Sequence, residues 1–205
     1  MEVRATLLCL LGSPRRGGNT DLLAGEVCSG FETAGGRVER VVLSDLDLRP
    51  CTGCGACTAD GPEPCVLDDD MTHLYGRMLS AHALLWATPV YSWAPSVEMK
   101  IVLDRQFTWG DYQKTRHARA LAGRPVGLAV CYADPDPATN GFYHAYHILR
   151  IVAEASGGRF AGCVHGPAAD RGDILRRPDV LQQARELGLK LHQRGVEWSR
   201  STSTT

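Results

Sequence analysis

Cys51-Thr52-Gly53-Cys54-Gly55-Ala56-Cys57, followed after seven intervening residues by Cys65, puts four thiols on one short stretch. Two Cys-x2-Cys steps wrap the backbone tightly, so three thiolates can face one inorganic core. Cys65, returning from a turn held by Gly61, Pro62 and Pro64, can supply a fourth ligand. Gly53 and Gly55 admit unusual dihedrals and leave N–H groups free to bond cluster sulfur. The first three cysteines keep the spacing of a bacterial ferredoxin run, and the fourth departs from it by coming from the same loop. The readings open on these residues are a [4Fe–4S] cluster bound by Cys51, Cys54, Cys57 and Cys65, structural zinc, a disulfide or redox thiols, and cysteines with no metal. Zinc with four cysteines usually uses two separated Cys-x2-Cys knuckles. Cys9, Cys28, Cys131 and Cys163 stand in apolar runs and read as small core residues.

A second chemical signal is Gly12-Ser13-Pro14-Arg15-Arg16-Gly17-Gly18-Asn19-Thr20, which follows an apolar run and opens a helical pattern. A helix N-terminus offers unpaired N–H groups and partial positive charge, so it favours an anion. Ser13 and Thr20 add hydroxyl donors, Asn19 can cap the helix or donate its amide, and Arg15 and Arg16 bring charge suited to a phosphate. Gly18 and its neighbours let the backbone curl around the anion. The loop has neither the Gly-x-Gly-x-x-Gly spacing of dinucleotide binders nor the Gly-Lys-Ser/Thr ending of a P-loop. An ordinary capped helix after a glycine turn is the competing reading. Further on, Thr88-Pro89-Val90-Tyr91-Ser92-Trp93 closes another apolar run. Pro89 stiffens that turn, and Tyr91 and Trp93 offer flat surfaces for a ring; taken alone, such an aromatic pair is also what core or rim positions carry.

These residues need elements to hold them. Thr6–Gly12, Arg37–Ser44, Ala83–Thr88, Val126–Tyr132 and Arg159–Val164 are predicted strands, lacking strict alternation as parallel strands buried on both faces do. Helical spacing recurs in Thr20–Ala34, Asp69–Ser80, Ser96–Phe107, Phe142–Ala155 and Val180–Gln193. The βαβ rhythm predicts an α/β fold with a doubly wound parallel sheet. Two connections exceed the usual length: Asp45–Asp68, the cysteine-rich loop of residues 45–68, and Phe107–Pro125, with Trp109, Tyr112, His117 and three arginines. Long loops at strand ends tend to build sites. One domain over residues 1–198 and a disordered polar tail over 199–205 complete the expected organisation.

The chain has 205 residues with 22 basic against 23 acidic side chains, so nothing in its charge asks for nucleic acid or an anionic membrane. The first apolar run is too short to span a bilayer and no cleavage site follows it, which predicts a cytoplasmic protein with reduced thiols. His144 and His147 share a helix start without an accompanying carboxylate pattern, and a solvated helix face is the expected setting. Asp134-Pro135-Asp136-Pro137 reads as a turn. His165 after the fifth strand could reach the pocket or an adjoining subunit.

Gly-Ser-Pro-Arg-x-Gly-x-Asn-Thr at residues 12–20 resembles the phosphate loop of the NADPH-dependent FMN reductase family, within the flavodoxin-like superfamily. The block 87–93 and the following Ser96-x-x-Met99-Lys100-x-x-x-Asp104-Arg105 resemble the same family. The cysteine loop, with its trailing Val66-Leu67-Asp68-Asp69-Asp70-Met71, resembles the family's iron–sulfur flavoprotein branch. The resemblance implies a flavodoxin-like five-stranded sheet in the order 2-1-3-4-5, with helices on both faces. It implies FMN held by Ser13, Arg15, Arg16, Gly18, Asn19 and Thr20 at the phosphate. Pro89, Val90, Tyr91, Ser92, Trp93 and Tyr132 would then lie along the ring. It further implies a [4Fe–4S] cluster, NAD(P)H or a ferredoxin-like donor, a quinone or other small acceptor, and a homodimer or homotetramer. No acid or base residue is required, because the flavin does the redox chemistry. The rivals are a cluster-free NAD(P)H:FMN, quinone or nitro reductase and a non-enzymatic electron carrier.

Overall fold

The computed structural model describes residues 4–59, 64–110, 117–136 and 138–202. Five strands, β1 (Thr6–Leu11), β2 (Arg37–Val42), β3 (Ala83–Tyr91), β5 (Pro125–Tyr132) and β6 (Arg159–Pro167), form a parallel sheet in the order β2-β1-β3-β5-β6. That is the expected doubly wound, flavodoxin-like topology. A sixth strand not foreseen, β4 (Ala94–Pro95), folds back antiparallel on the end of β3.

Successive side chains of a strand point to opposite faces, and here both faces are dry. In β1, Leu7, Cys9 and Leu11 enter one core, and Leu8 and Leu10 the other. This is why the strands read as unbroken apolar runs. The first core lies under α1 (Asn19–Thr33) and α5 (Pro178–Thr202); the second lies under α2 (Met71–Ser80), α3 (Val97–Arg105) and α4 (Phe142–Ala155). Cys9, Cys28 and Cys131 are buried and Cys163 is half-buried, in keeping with packing roles.

The α1–α5 crossing is unusually close. A Cβ on Gly30 would stand 2.1 Å from the Arg185 carbonyl, and one on Gly188 would stand 2.1 Å from that of Val27. Two glycines therefore let the helix backbones touch.

One expectation fails at the C-terminus. Helix α5 runs to Thr202, so residues 199–202, expected to belong to a disordered tail, are helical; residues 203–205 lie outside the described residues. The extension has an anchor. The Trp198 ring lies under the Arg124 guanidinium at 4.2 Å, and its Nε1 donates to the Ala122 carbonyl at 2.8 Å. Among the described residues no helix is long and apolar enough to cross a membrane. Of the second long connection, residues 111–116 with Tyr112 lie outside the described residues, while Trp109 is buried in the core against Tyr75.

Candidate functional site

Strand β1 stops at Leu11, and the chain turns through residues 12–18 into α1. The N-cap residue Gly18 is extended and no side chain caps the helix. First-turn N–H groups thus face the loop as anion donors. Ser13 is buried, its Oγ accepting from the Arg15 N–H at 3.3 Å. The buried Thr20 hydroxyl neighbours the Cys131 thiol. Burial pushes that thiol up to about 12 against the smaller pull of Thr20, so it stays protonated.

The neighbouring wall comes from the end of β3. Val90 pairs with Pro95 and Tyr91 with Ala94, leaving Ser92 and Trp93 as a two-residue hairpin loop at φ +47° and +62°. Both signs are those of a type I′ turn, which matches the twist of the flanking strands. Neither residue is glycine or asparagine, and such backbone persists only where its surroundings hold it. Here Trp93 Nε1 donates to the Thr139 carbonyl at 2.7 Å, and the residue packs onto Gly141, where a Cβ would come within 2.5 Å of Trp93 Cα. The turn is also tied to the phosphate loop. The Ser96 N–H donates to Thr88 Oγ1 at 3.0 Å, and Ser96 Oγ donates to the Gly12 carbonyl.

Between these walls lies a cavity of about 260 Å³. Ser13, Arg15, Gly18, Asn19 and Thr20 line one end; Pro89, Val90, Tyr91 and Tyr132 line another. Hydroxyl, guanidinium and helix-terminus donors thus meet flat, largely apolar surfaces. That donor set suits a ligand anionic at one end and aromatic at the other. At the rim Tyr132 Oη is 2.9 Å from His165 Nδ1, and the His165 ring stacks on Phe142 with centroids 3.8 Å apart. Burial raises the Tyr132 phenol and lowers the His165 imidazole, so both are neutral near pH 7.

The cysteine loop rises beside α2 and α3. Cys51 and Cys54 are exposed, Cys57 and Cys65 half-buried. Gly53 and Gly55 are left-handed, at φ +65° and +72°. The Gly53 N–H points at Cys51 Sγ at 3.4 Å, and the Ala56 N–H, with the Thr52 side chain, holds the Cys54 thiol below its usual range. Cys57 is pushed up by burial and by its neighbours Cys65, Cys51 and Cys54. The donor set therefore fits a thiolate-ligated metal, although among the described residues no three potential ligands gather at metal-holding geometry. Gly61 and Pro62 of the expected return turn lie outside the described residues.

Comparison with known proteins adds the deciding observation: the family model for NADPH-dependent FMN reductases matches residues 5–158. The chain belongs to that family. Membership bears out the family expected from residues 12–20 and 87–105. An iron–sulfur flavoprotein of Archaeoglobus fulgidus is 36% identical over 124 residues, 60% of this chain and 53% of the relative, so the match spans about half of that protein. Another, from Methanosarcina thermophila, is 34% identical over 181 residues, 86% of this chain and 90% of the relative. These names match the branch expected from the cysteine loop. The solved structure of an NAD(P)H:quinone oxidoreductase from Methanothermobacter marburgensis shares the fold, with TM-score 0.71 over 92% of this chain and 98% of that one at 17% identity.

In this chain several expected residues stand elsewhere than the sequence suggests. Arg16 pairs with Asp45 and is absent from this lining, but it lines an adjoining cavity of about 600 Å³ with Arg15, Gly18 and Asn19. Ser92 and Trp93 lie outside the cavity lining, with the indole facing Thr139 and Gly141. Asn19 lines the cavity, yet its amide is occupied: Nδ2 donates to the carbonyls of Ala168 and Asp170 at 3.1 and 2.8 Å, and Oδ1 accepts from Gly172 and Ile174 at 2.9 and 3.3 Å. It caps nothing on its own helix. Cys131 and Ala133, from the end of β5, complete the lining together with Ala168 and Ala169, which were not foreseen; nor was Arg171, which donates to the carbonyls of Arg16 and Gly17. Their position at the carboxyl ends of β5 and β6 was the available signal. His165 bonds Tyr132 without lining the cavity, and His144 and His147 are exposed on α4.

Proposed function

We propose that this reductase binds FMN in the cavity between the Ser13–Thr20 loop and Pro89–Tyr91. On this reading it passes electrons from NAD(P)H or a ferredoxin-like donor to a quinone or another small acceptor. The observation that carries the reading is the joining of an anion-ready helix start and flat apolar walls in one cavity. Arg15 and the first turn of α1 hold the phosphate, while Pro89, Val90, Tyr91 and Tyr132 shape the place for the ring. Arg16 contributes charge from outside the lining, and Ser92 and Trp93 fix the course of the β3–β4 turn. Bound FMN supplies exchange between two-electron and one-electron couples, and a bound [4Fe–4S] cluster supplies single-electron exchange. Cys51, Cys54, Cys57 and Cys65 are the residues to hold that cluster. Their support is four thiols on one loop, N–H groups aimed at sulfur and left-handed glycines that let the loop close around metal.

Protein purified without oxygen should contain FMN, iron and acid-labile sulfide, with absorbance beyond the flavin bands. A Cys54→Ala variant should keep the flavin and lose that absorbance. Iron-free wild-type protein that still oxidises NAD(P)H with quinone would establish the second reading, a cluster-free reductase, which the unconverged thiols favour. An electron carrier would turn over neither substrate. We also propose a homodimer or homotetramer, supported by Trp93 and Tyr143 at 63% and 61% exposure near the site; light scattering of the purified protein tests it.

A further inference from the structure

We infer that Asp69 and Arg105 are positioning residues, a buried latch that closes the neck of the cysteine loop and sets its thiols for metal. The inference rests on the reading that this loop binds a metal cluster.

The two ends of the loop run side by side. The Asp47 N–H donates to Asp70 Oδ2 at 2.8 Å, the Asp70 N–H to the Asp47 carbonyl at 3.1 Å, and the Arg49 N–H to Asp69 Oδ2 at 2.9 Å. Into this neck the last residue of α3 sends its guanidinium. Arg105 Nη1 donates to Asp69 Oδ2 at 2.8 Å and to the Arg49 carbonyl at 3.0 Å, and Nη2 donates to Asp69 Oδ1 at 3.1 Å. The pair is bidentate, and the two side chains are 1% and 0% exposed. Tyr75 Oη donates to the Arg105 carbonyl at 2.5 Å and so fixes the backbone that carries the guanidinium.

A buried ion pair is a weak source of stability, because desolvation cancels much of the attraction. Its use lies in fixing geometry. Here it joins both ends of the loop to α3, so the four thiols lie on a segment whose closure is already made. The same place contacts the half-buried thiols. Cys65 packs against the core that holds Tyr75 and Trp109, and the turn Ala56–Thr58, with Cys57, packs against Gln106–Trp109, which directly follows Arg105. Arg105 Nε is buried without a hydrogen-bond partner, which leaves this cation with donor capacity and charge to offer the loop.

The test compares wild-type protein with Asp69→Asn, Arg105→Lys and the milder Tyr75→Phe, all prepared without oxygen. FMN content and melting temperature report folding. In the metal-free proteins, alkylation of Cys57 and Cys65, followed by mass spectrometry, should be about tenfold faster in Asp69→Asn and Arg105→Lys, with a smaller increase in Tyr75→Phe. The exposed Cys54 should react at an unchanged rate. After reconstitution, iron per chain should fall at least twofold while FMN per chain stays constant, and any remaining cluster should show a shifted midpoint potential by electron paramagnetic resonance. Unchanged alkylation and iron content in folded variants would overturn the latch. Faster alkylation beside a wild-type protein that takes up no iron would overturn the metal role and, separately, the cluster reading.

Discussion

Ser96 Oγ donates to the carbonyl of Gly12 across 2.5 Å, so the N-cap of α3 is fastened to the first residue of the phosphate loop. The same oxygen accepts from the Met99 N–H at 3.3 Å, and the Ser96 N–H reaches Thr88. Through its hydroxyl and its N–H, one buried residue therefore holds the ends of β1 and β3 and the start of α3 in a fixed relation. The chain beyond the end of β1 and within the end of β3 supplies much of the cavity lining.

Ser96→Ala removes a helix cap and leaves the Gly12 carbonyl without its donor. Caps and buried hydrogen bonds are each worth about 1 kcal/mol, so the loss should be roughly 2 kcal/mol. For a domain of this size that lowers the melting temperature by about 4 to 8 °C. Thermal melts should show it, and flavin titration should show weaker FMN binding. An unchanged melt would mean that the Ser96 hydroxyl, with its bonds to Gly12 and Met99, holds nothing.

Arg15 and Arg16 differ in their surroundings. Arg15 lines the cavity, and Arg16 pairs with Asp45 outside it. A charge-assisted hydrogen bond contributes about 1.5–3 kcal/mol. Arg15→Ala should thus weaken FMN binding about tenfold or more, and Arg16→Ala by roughly twofold at most. Fluorescence titrations of the two variants decide this; the reverse order would place the phosphate on the Asp45 side.

His82 makes stability depend on pH. Its Nδ1 accepts from the Thr6 N–H at 3.2 Å and lies 2.9 Å from Thr6 Oγ1, an arrangement that protonation abolishes. Burial, and then the charge of Arg124, hold the imidazole below its ordinary value. Above about pH 6.5 the ring is neutral in both folded and unfolded chains. As pH falls below that, the unfolded chain takes the proton first, so stability drops until the folded pKa is passed. Urea unfolding at pH 7.5 and 5.5 should show the loss, and His82→Gln should lessen it.

Gly188→Ala tests the α1–α5 crossing. A methyl group there would meet the Val27 carbonyl at 2.1 Å, a clash that only helix separation relieves. Overpacking of this kind costs about 1–3 kcal/mol or more. Alanine raises helix propensity by up to roughly 1 kcal/mol, so a stabilised variant would show that the helices part freely.

The sequence discloses the sheet well because both of its faces are buried, which turns β1, β3 and β5 into apolar runs that no surface stretch imitates. It discloses the cavity walls because glycine, proline and hydroxyl residues mark strand ends. Strand β4 escapes it: the turn that creates β4 is Ser92-Trp93, which carries none of the asparagine or glycine that announce left-handed backbone. The tail misleads because composition alone suggests disorder, whereas Trp198 finds Arg124 and Ala122 some seventy residues earlier in the chain. Arg16 and Asn19 are of suitable type for the phosphate, but Asp45 and residues 168–174 claim them, and such distant partners leave no mark on local spacing. The four cysteines are legible as donors; where each sulfur points depends on loop backbone.

Asn19 has one more consequence, which concerns synthesis. Its four hydrogen bonds join the first helix to a segment some 150 residues later. A chain still growing from its N-terminus therefore has its anion-holding loop long before it has the far wall of the cavity. The cavity is complete only once residues 168–174 have emerged and folded back against the start of α1.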